Sequence, residues 1–160
     1  MSGFNINYDK IKEIYKNTVD EMLETDLFSS EVILYYPPTL SECTDCVGSF
    51  NCLACGGKGI VETSNTETIR LRIHISSGRS SFNKNMYKKM GLDNIQYAEG
   101  DIFVLGNMSN INKVKSANHF SIYDSLALSN FKYILKTEPL PYGLCRDLYF
   151  YAFLKREDHI

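Results

Sequence analysis

The sequence has no tryptophan, no excess of either charge, and no apolar run longer than the seven residues from Leu148 to Leu154. A membrane-crossing helix needs about 20 consecutive apolar residues, so no membrane span is expected. Seventeen basic against 19 acidic side chains leave a formal charge of −2. Such a surface has no general affinity for polyphosphate, and nucleic-acid contact would have to come from a local patch. Met1 to Lys10 contain no basic stretch leading into an apolar one. The expectation is therefore a chain without a secretory signal, kept in a reducing compartment where disulfides are rare. Catalytic signatures are missing too. There is no Walker loop, dinucleotide fingerprint, H-E-x-x-H or serine-hydrolase motif, and Gly56-Gly57-Lys58-Gly59 lacks the spacing of a phosphate loop. His74, His119 and His159 are scattered, with no carboxylate motif beside them. An enzyme is not expected.

What is present describes a small globular protein. At 160 residues, 44% hydrophobic and 22% charged, residues 1–160 are expected to form one domain with a core of its own. Eleven Tyr and nine Phe favour strands. From residue 8 to 24, Ile11, Ile14, Tyr15, Val19, Met22 and Leu23 recur at helical spacing, which predicts an amphipathic N-terminal helix with Asn7 as its N-cap. Its apolar face either packs on the core or receives a partner helix.

The periodicity then becomes that of strands. They are expected at Glu31 to Tyr36, Thr66 to Ile75, Ile102 to Leu105, His119 to Tyr123, Phe131 to Lys136 and Leu148 to Lys155. Thr66 to Ile75 alternates most cleanly, with Ile69, Leu71, Ile73 and Ile75 on one face. About six strands suit a small barrel or a sandwich. A second short helix is expected between Asn83 and Met90. Residues 106–118, rich in Asn and Lys, are expected to form a long exposed loop, either a solvated connection or an arm toward a neighbouring subunit.

The strongest chemical pattern is Cys43-Thr-Asp-Cys46 followed by Cys52-Leu-Ala-Cys55, a C-x2-C-x5-C-x2-C array. Each C-x2-C turn presents two thiolates to one ion, and four sulfurs fill a tetrahedral shell, so Cys43, Cys46, Cys52 and Cys55 are expected to hold a structural Zn²⁺. Gly48 and Gly56 permit the tight turns that bring backbone N–H groups to the sulfurs. A thioredoxin-like redox pair uses one such knuckle rather than two, and the spacing matches neither common ferredoxin pattern. The five-residue separation is shorter than in common zinc ribbons, which leaves open whether both knuckles close on one ion. Residues 37–59 contain few large apolar side chains and two prolines, so the metal is expected to order this loop. Cys145 reads as a small buried hydrophobe. Arg70 and Arg72, Lys113 and Lys115, and Lys84, Lys88 and Lys89 form local basic groups, read either as solvated surface or as phosphate contacts.

Together these segments resemble the head-closure, or head-to-tail connector (stopper), family of tailed-bacteriophage neck proteins. The resemblance is carried by the N-terminal helix, Val32-Ile33-Leu34-Tyr35-Tyr36-Pro37-Pro38 leading into the knuckles, and the Cys55 to Gly59 exit into the Thr66 strand. It continues through Glu99-Gly100-Asp101-Ile102, Glu138 to Gly143 and the terminal aromatic strand ending in Lys155-Arg156. It implies a small antiparallel β-barrel with an N-terminal helix, assembled as a virion ring between portal or adaptor and tail. Such a ring retains packaged DNA, lets it pass without sequence-specific binding, and docks the tail. The alternative expectation is an intracellular zinc-knuckle protein that binds nucleic acid or a transcription partner. Cys52 to Gly59 also resembles half of the zinc repeat of DnaJ-type chaperones, although one partial repeat does not build that two-zinc domain.

Overall fold

The computed structural model describes residues 7–25, 29–46, 52–75, 100–124, 127–143 and 147–159. Helix α1 spans Tyr8–Glu24, the limits expected from the sequence. The Asn7 side chain accepts from the backbone N–H groups of Asp9 (3.1 Å) and Lys10 (3.2 Å), satisfying donors that the first turn leaves unpaired. Strands follow at Ser30–Tyr35 (β1), Thr39–Glu42 (β2), Ile60–Thr63 (β3), Thr66–Ile75 (β4) and Ile102–Asn107 (β5). After helix α2 (Ile111–Ser116) come His119–Asp124 (β6), Ser129–Leu135 (β7), Leu140–Pro141 (β8) and Tyr149–Arg156 (β9).

Six strands close into an antiparallel barrel in the order β1-β4-β5-β9-β7-β6, with β6 returning to β1. Closure removes the open edges that would otherwise template aggregation. Alternation sends Val32 and Leu34, Ile69 and Leu71, Ile102 and Val104, Phe120 and Ile122, and Phe150 and Leu154 inward to one core. Gly106 continues the inward row of β5. A Cβ there would stand 2.6 Å from Leu71 Cδ2 and 2.7 Å from Phe150 Cζ, so only glycine lets the strand and the phenyl ring approach this closely.

On the outer wall, α1 lies across β4, β5 and β9. Val19 and Leu23 pack with Leu105 and Tyr149. The Tyr149 hydroxyl lies 2.9 Å from the Lys16 carbonyl and 2.8 Å from an Asp20 carboxylate oxygen, either of which accepts its proton. Arg70 donates to the Glu24 carbonyl at 2.7 Å, placing a cation at the negative end of the helix. Phe103 and Phe153, also on the outer wall and buried, pack with their rings tilted by 38° and their centroids 4.9 Å apart.

Three expectations need correction. Residues 106–118 are not a long exposed loop. Gly106 and Asn107 end β5, Met108–Asn110 form a 3₁₀ turn, and α2 follows with Val114 fully buried in the barrel core. Val114 is the buried anchor, Met108, Ile111 and Ala117 pack against the same core, and Asn112 and Lys115 face outward. Residues 37–59 are only partly a loop, because Thr39–Glu42 pairs with Ile60–Thr63 in a separate two-stranded ribbon. The apolar face of α1 is covered only in its second half: Tyr8, Ile11 and Ile14 are 72%, 41% and 58% exposed, since the residues that meet the barrel wall begin at Tyr15. The helix expected at Asn83 to Met90 lies outside the described residues.

Candidate metal centre

The cysteine array sits at the far end of the β2–β3 ribbon. Pairing runs Thr39↔Thr63, Leu40↔Glu62, Ser41↔Val61 and Glu42↔Ile60, and a bond from Cys43 N–H to the Gly59 carbonyl (2.9 Å) carries the ladder one step further. This register brings the two knuckles opposite each other. In the first, Cys46 N–H reaches the Cys43 carbonyl at 3.3 Å. In the second, Gly56 N–H donates to the Cys52 carbonyl at 2.7 Å and Lys58 N–H to the Cys55 carbonyl at 3.1 Å. Both are tight turns that point two side chains the same way.

All four Sγ atoms lie within 4.8 Å of one another. Across the knuckles, Cys43 Sγ is 3.6 Å from Cys52 Sγ, and Cys46 Sγ is 2.9 Å from Cys55 Sγ. A tetrahedral ion with metal–sulfur bonds of about 2.3 Å sets its sulfurs about 3.8 Å apart, so this array is close to the size required. Both knuckles therefore face one position. Cys52 and Cys55 are buried and Cys43 and Cys46 half-buried.

The electrostatics suit a cation. The Cys55 thiol holds the Cys46 proton in place, and burial adds to this, pushing Cys46 up to about 12. The same contact from Cys46 brings Cys55 down to about 6, helped by the backbone N–H of Gly59. Burial is the largest influence on Cys43 and raises it, opposed by the backbone of Asp45. Four sulfurs this close cannot all be thiolates unless a positive charge lies between them, and a divalent ion supplies it. Gly59 N–H donates to Cys55 Sγ at 3.3 Å with φ at +73°, a left-handed conformation suited to glycine. The sequence pointed to Gly48 and Gly56 for such a role. Gly56 does turn with φ +59°, Gly48 lies outside the described residues, and the donor to sulfur is Gly59, whose place at the foot of β3 becomes apparent only once the ribbon is paired.

The four expected ligands are thus brought together, and they form a group able to hold a metal ion. Cys145 lies outside the described residues. The described basic groups read as possible phosphate contacts are engaged within the chain. Lys113 pairs with Glu67, Lys115 with Glu138 (3.5 Å), Arg70 with the Glu24 carbonyl, and Arg72 with Met22 Sδ (2.8 Å). Lys84, Lys88 and Lys89 lie outside the described residues. Among the described residues, no helix is long and apolar enough to cross a membrane. No protein-family model matches the chain, and no curated protein matches its sequence.

Proposed function

We propose that this chain is a non-enzymatic structural protein of a tailed-phage neck, one subunit of a homo-oligomeric ring between portal or adaptor and tail. In this reading Cys43, Cys46, Cys52 and Cys55 hold one structural Zn²⁺. The observation that carries the reading is the closed six-stranded barrel with a helix on its outer wall and a cysteine-clamped ribbon. That combination agrees with the fold implied by the sequence resemblance. Zinc is favoured over redox chemistry because four sulfurs converge where a thioredoxin-like pair needs two, and over iron–sulfur ligation by the knuckle spacing. With all four sulfurs bound, no coordination position remains for water, and the metal orders the ribbon instead of activating a substrate. The net charge of −2 suits a lumen through which DNA passes without being gripped. The chain is then made in the host cytoplasm and carried in the virion at the head–tail interface.

Quantitative mass spectrometry of purified particles tests this. The expected result is the chain at a fixed low ratio to the portal subunit, and absence from particles overturns the neck reading. Metal analysis of anaerobically purified protein should find one zinc per chain, and a metal-free folded ribbon would overturn the site.

A further inference from the structure

Among the apolar side chains exposed on the described residues, two groups stand on different elements of the fold. The first is on the ribbon. Leu40 and Glu42 are two residues apart on β2 and so share a face, and their partners across the ladder are Glu62 and Ile60. One ribbon face therefore carries Leu40 and Ile60 on a diagonal, 62% and 48% exposed, flanked by two carboxylates. The second is the first half of α1, where Tyr8, Ile11 and Ile14 are exposed. At 100° per residue, Lys10 is the charge nearest Ile14 in these two turns, while Asp9 and Glu13 fall on the other side of the helix.

The topology keeps the two surfaces apart. The ribbon leaves β1 and re-enters β4, whereas the first half of α1 meets the barrel near Tyr149 of β9, where Tyr15 packs edge-on at 6.1 Å. In the barrel order, β9 stands three strands from β1 and two from β4, so different strands carry the two surfaces. One surface is apolar with an acidic rim, and the other is apolar with a basic edge at the positive pole of a 17-residue helix. Each lacks a partner of the kind the other offers.

We infer that the ribbon face of one copy docks on the first half of α1 of the next copy, a heterologous contact that repeats around a ring. The occupant is a second copy of this chain. Two different patches on one subunit give heterologous association, which closes into a ring or grows into a filament according to the rotation per step. The inference deepens the ring reading above by naming its subunit contact, and rests on that reading only for closure.

Sedimentation velocity on the zinc-loaded full chain tests it with two variants, each lacking one patch. Ile60→Asp removes the ribbon patch and Ile14→Asp the helix patch, while circular dichroism and zinc content check that each folds. Should Ile60→Asp lose its metal, Leu40→Asp replaces it. Wild type should associate with rising concentration, each variant alone should be at least about tenfold weaker, and an equimolar mixture should stop at a one-to-one dimer. The mixture recovers one intact contact because each variant keeps the surface the other lost. A wild type that stays monomeric up to about 1 mM overturns the contact. So does either variant alone assembling like wild type, which marks a symmetric helix–helix or ribbon–ribbon contact, and so does a mixture that stays monomeric. These results are independent of particle composition. A chain found at fixed copy number in particles but failing the mixing test loses the contact and keeps the neck reading; the reverse outcome keeps the contact and loses the neck.

Discussion

The barrel and the ribbon are both antiparallel and both carry β-branched residues, yet they stand by different physics. In the barrel, Val32, Leu34, Leu71, Val104, Phe120, Phe150 and Leu154 are nearly or fully removed from water, and each strand has a partner on both sides. In the ribbon, every residue of β2 is exposed and only Val61 of β3 is half-buried. An isolated two-stranded ribbon is marginal in water. The apolar core that holds the barrel is replaced in the ribbon by four sulfurs at its tip. Burial distributes stability over many residues, whereas ligation concentrates it in a few atoms, so the two regions should fail separately.

Removing the metal should give the largest effect and confine it to the ribbon. A structural zinc site contributes on the order of 10 kcal/mol to the segment it folds. Cys52→Ser, or chelation of the wild type, should therefore open residues 43–46 and 52–59 to protease and collapse their amide shift dispersion, while barrel amides keep their protection against hydrogen exchange. Loss of barrel protection at the same point would show that the two regions are one cooperative unit.

The complementary break is in the core. Phe150 is fully buried against Leu71 and Gly106, and Phe150→Ala should cost about 3–5 kcal/mol of global stability by transfer and cavity effects. Urea unfolding should show that loss as a lower midpoint of the barrel transition. Tyr149→Phe separates barrel from helix more gently. It removes the hydroxyl shared by the Lys16 carbonyl and Asp20, for about 1–3 kcal/mol, and hydrogen exchange should rise first in α1.

The smallest effect expected is a pH dependence at the junction of β4 and α2. Lys113, the main cause, and the Tyr36 hydroxyl hold the Glu67 carboxyl below its ordinary value. A carboxyl that titrates lower in the folded state stabilises fully above its unfolded value, and that contribution is lost as pH falls through the lower folded value. Stability should thus decline on acidification through the carboxylate range. Glu67→Gln should flatten part of that decline, and an unchanged profile would remove Glu67 from the account.

Local signals were readable where one residue's chemistry settled the matter. Asn7 marked the start of α1 because its side chain caps two backbone donors, and the alternation from Thr66 to Ile75 delimited β4. Residues 106–118 misled because their composition is polar, while Val114, with Met108, Ile111 and Ala117 packed beside it, folds the segment onto the core. Strands β2 and β3 were missed because neither has a buried face to impose a period of two. Their signal was positional, two short segments symmetrically flanking the knuckles, and it acquires meaning only with the pairing Glu42↔Ile60.

By itself the sequence determined the helix, the principal strands and which four cysteines cluster, since capping, periodicity and knuckle spacing act over a few residues. Tertiary structure alone decided that the sheet closes, through β5 meeting β9 with Ile102 opposite Leu154. It also decided that both knuckles face one position and that half of α1 remains uncovered. These outcomes depend on contacts between residues far apart in the chain, whose loop-closure entropy is offset only when the whole core forms together.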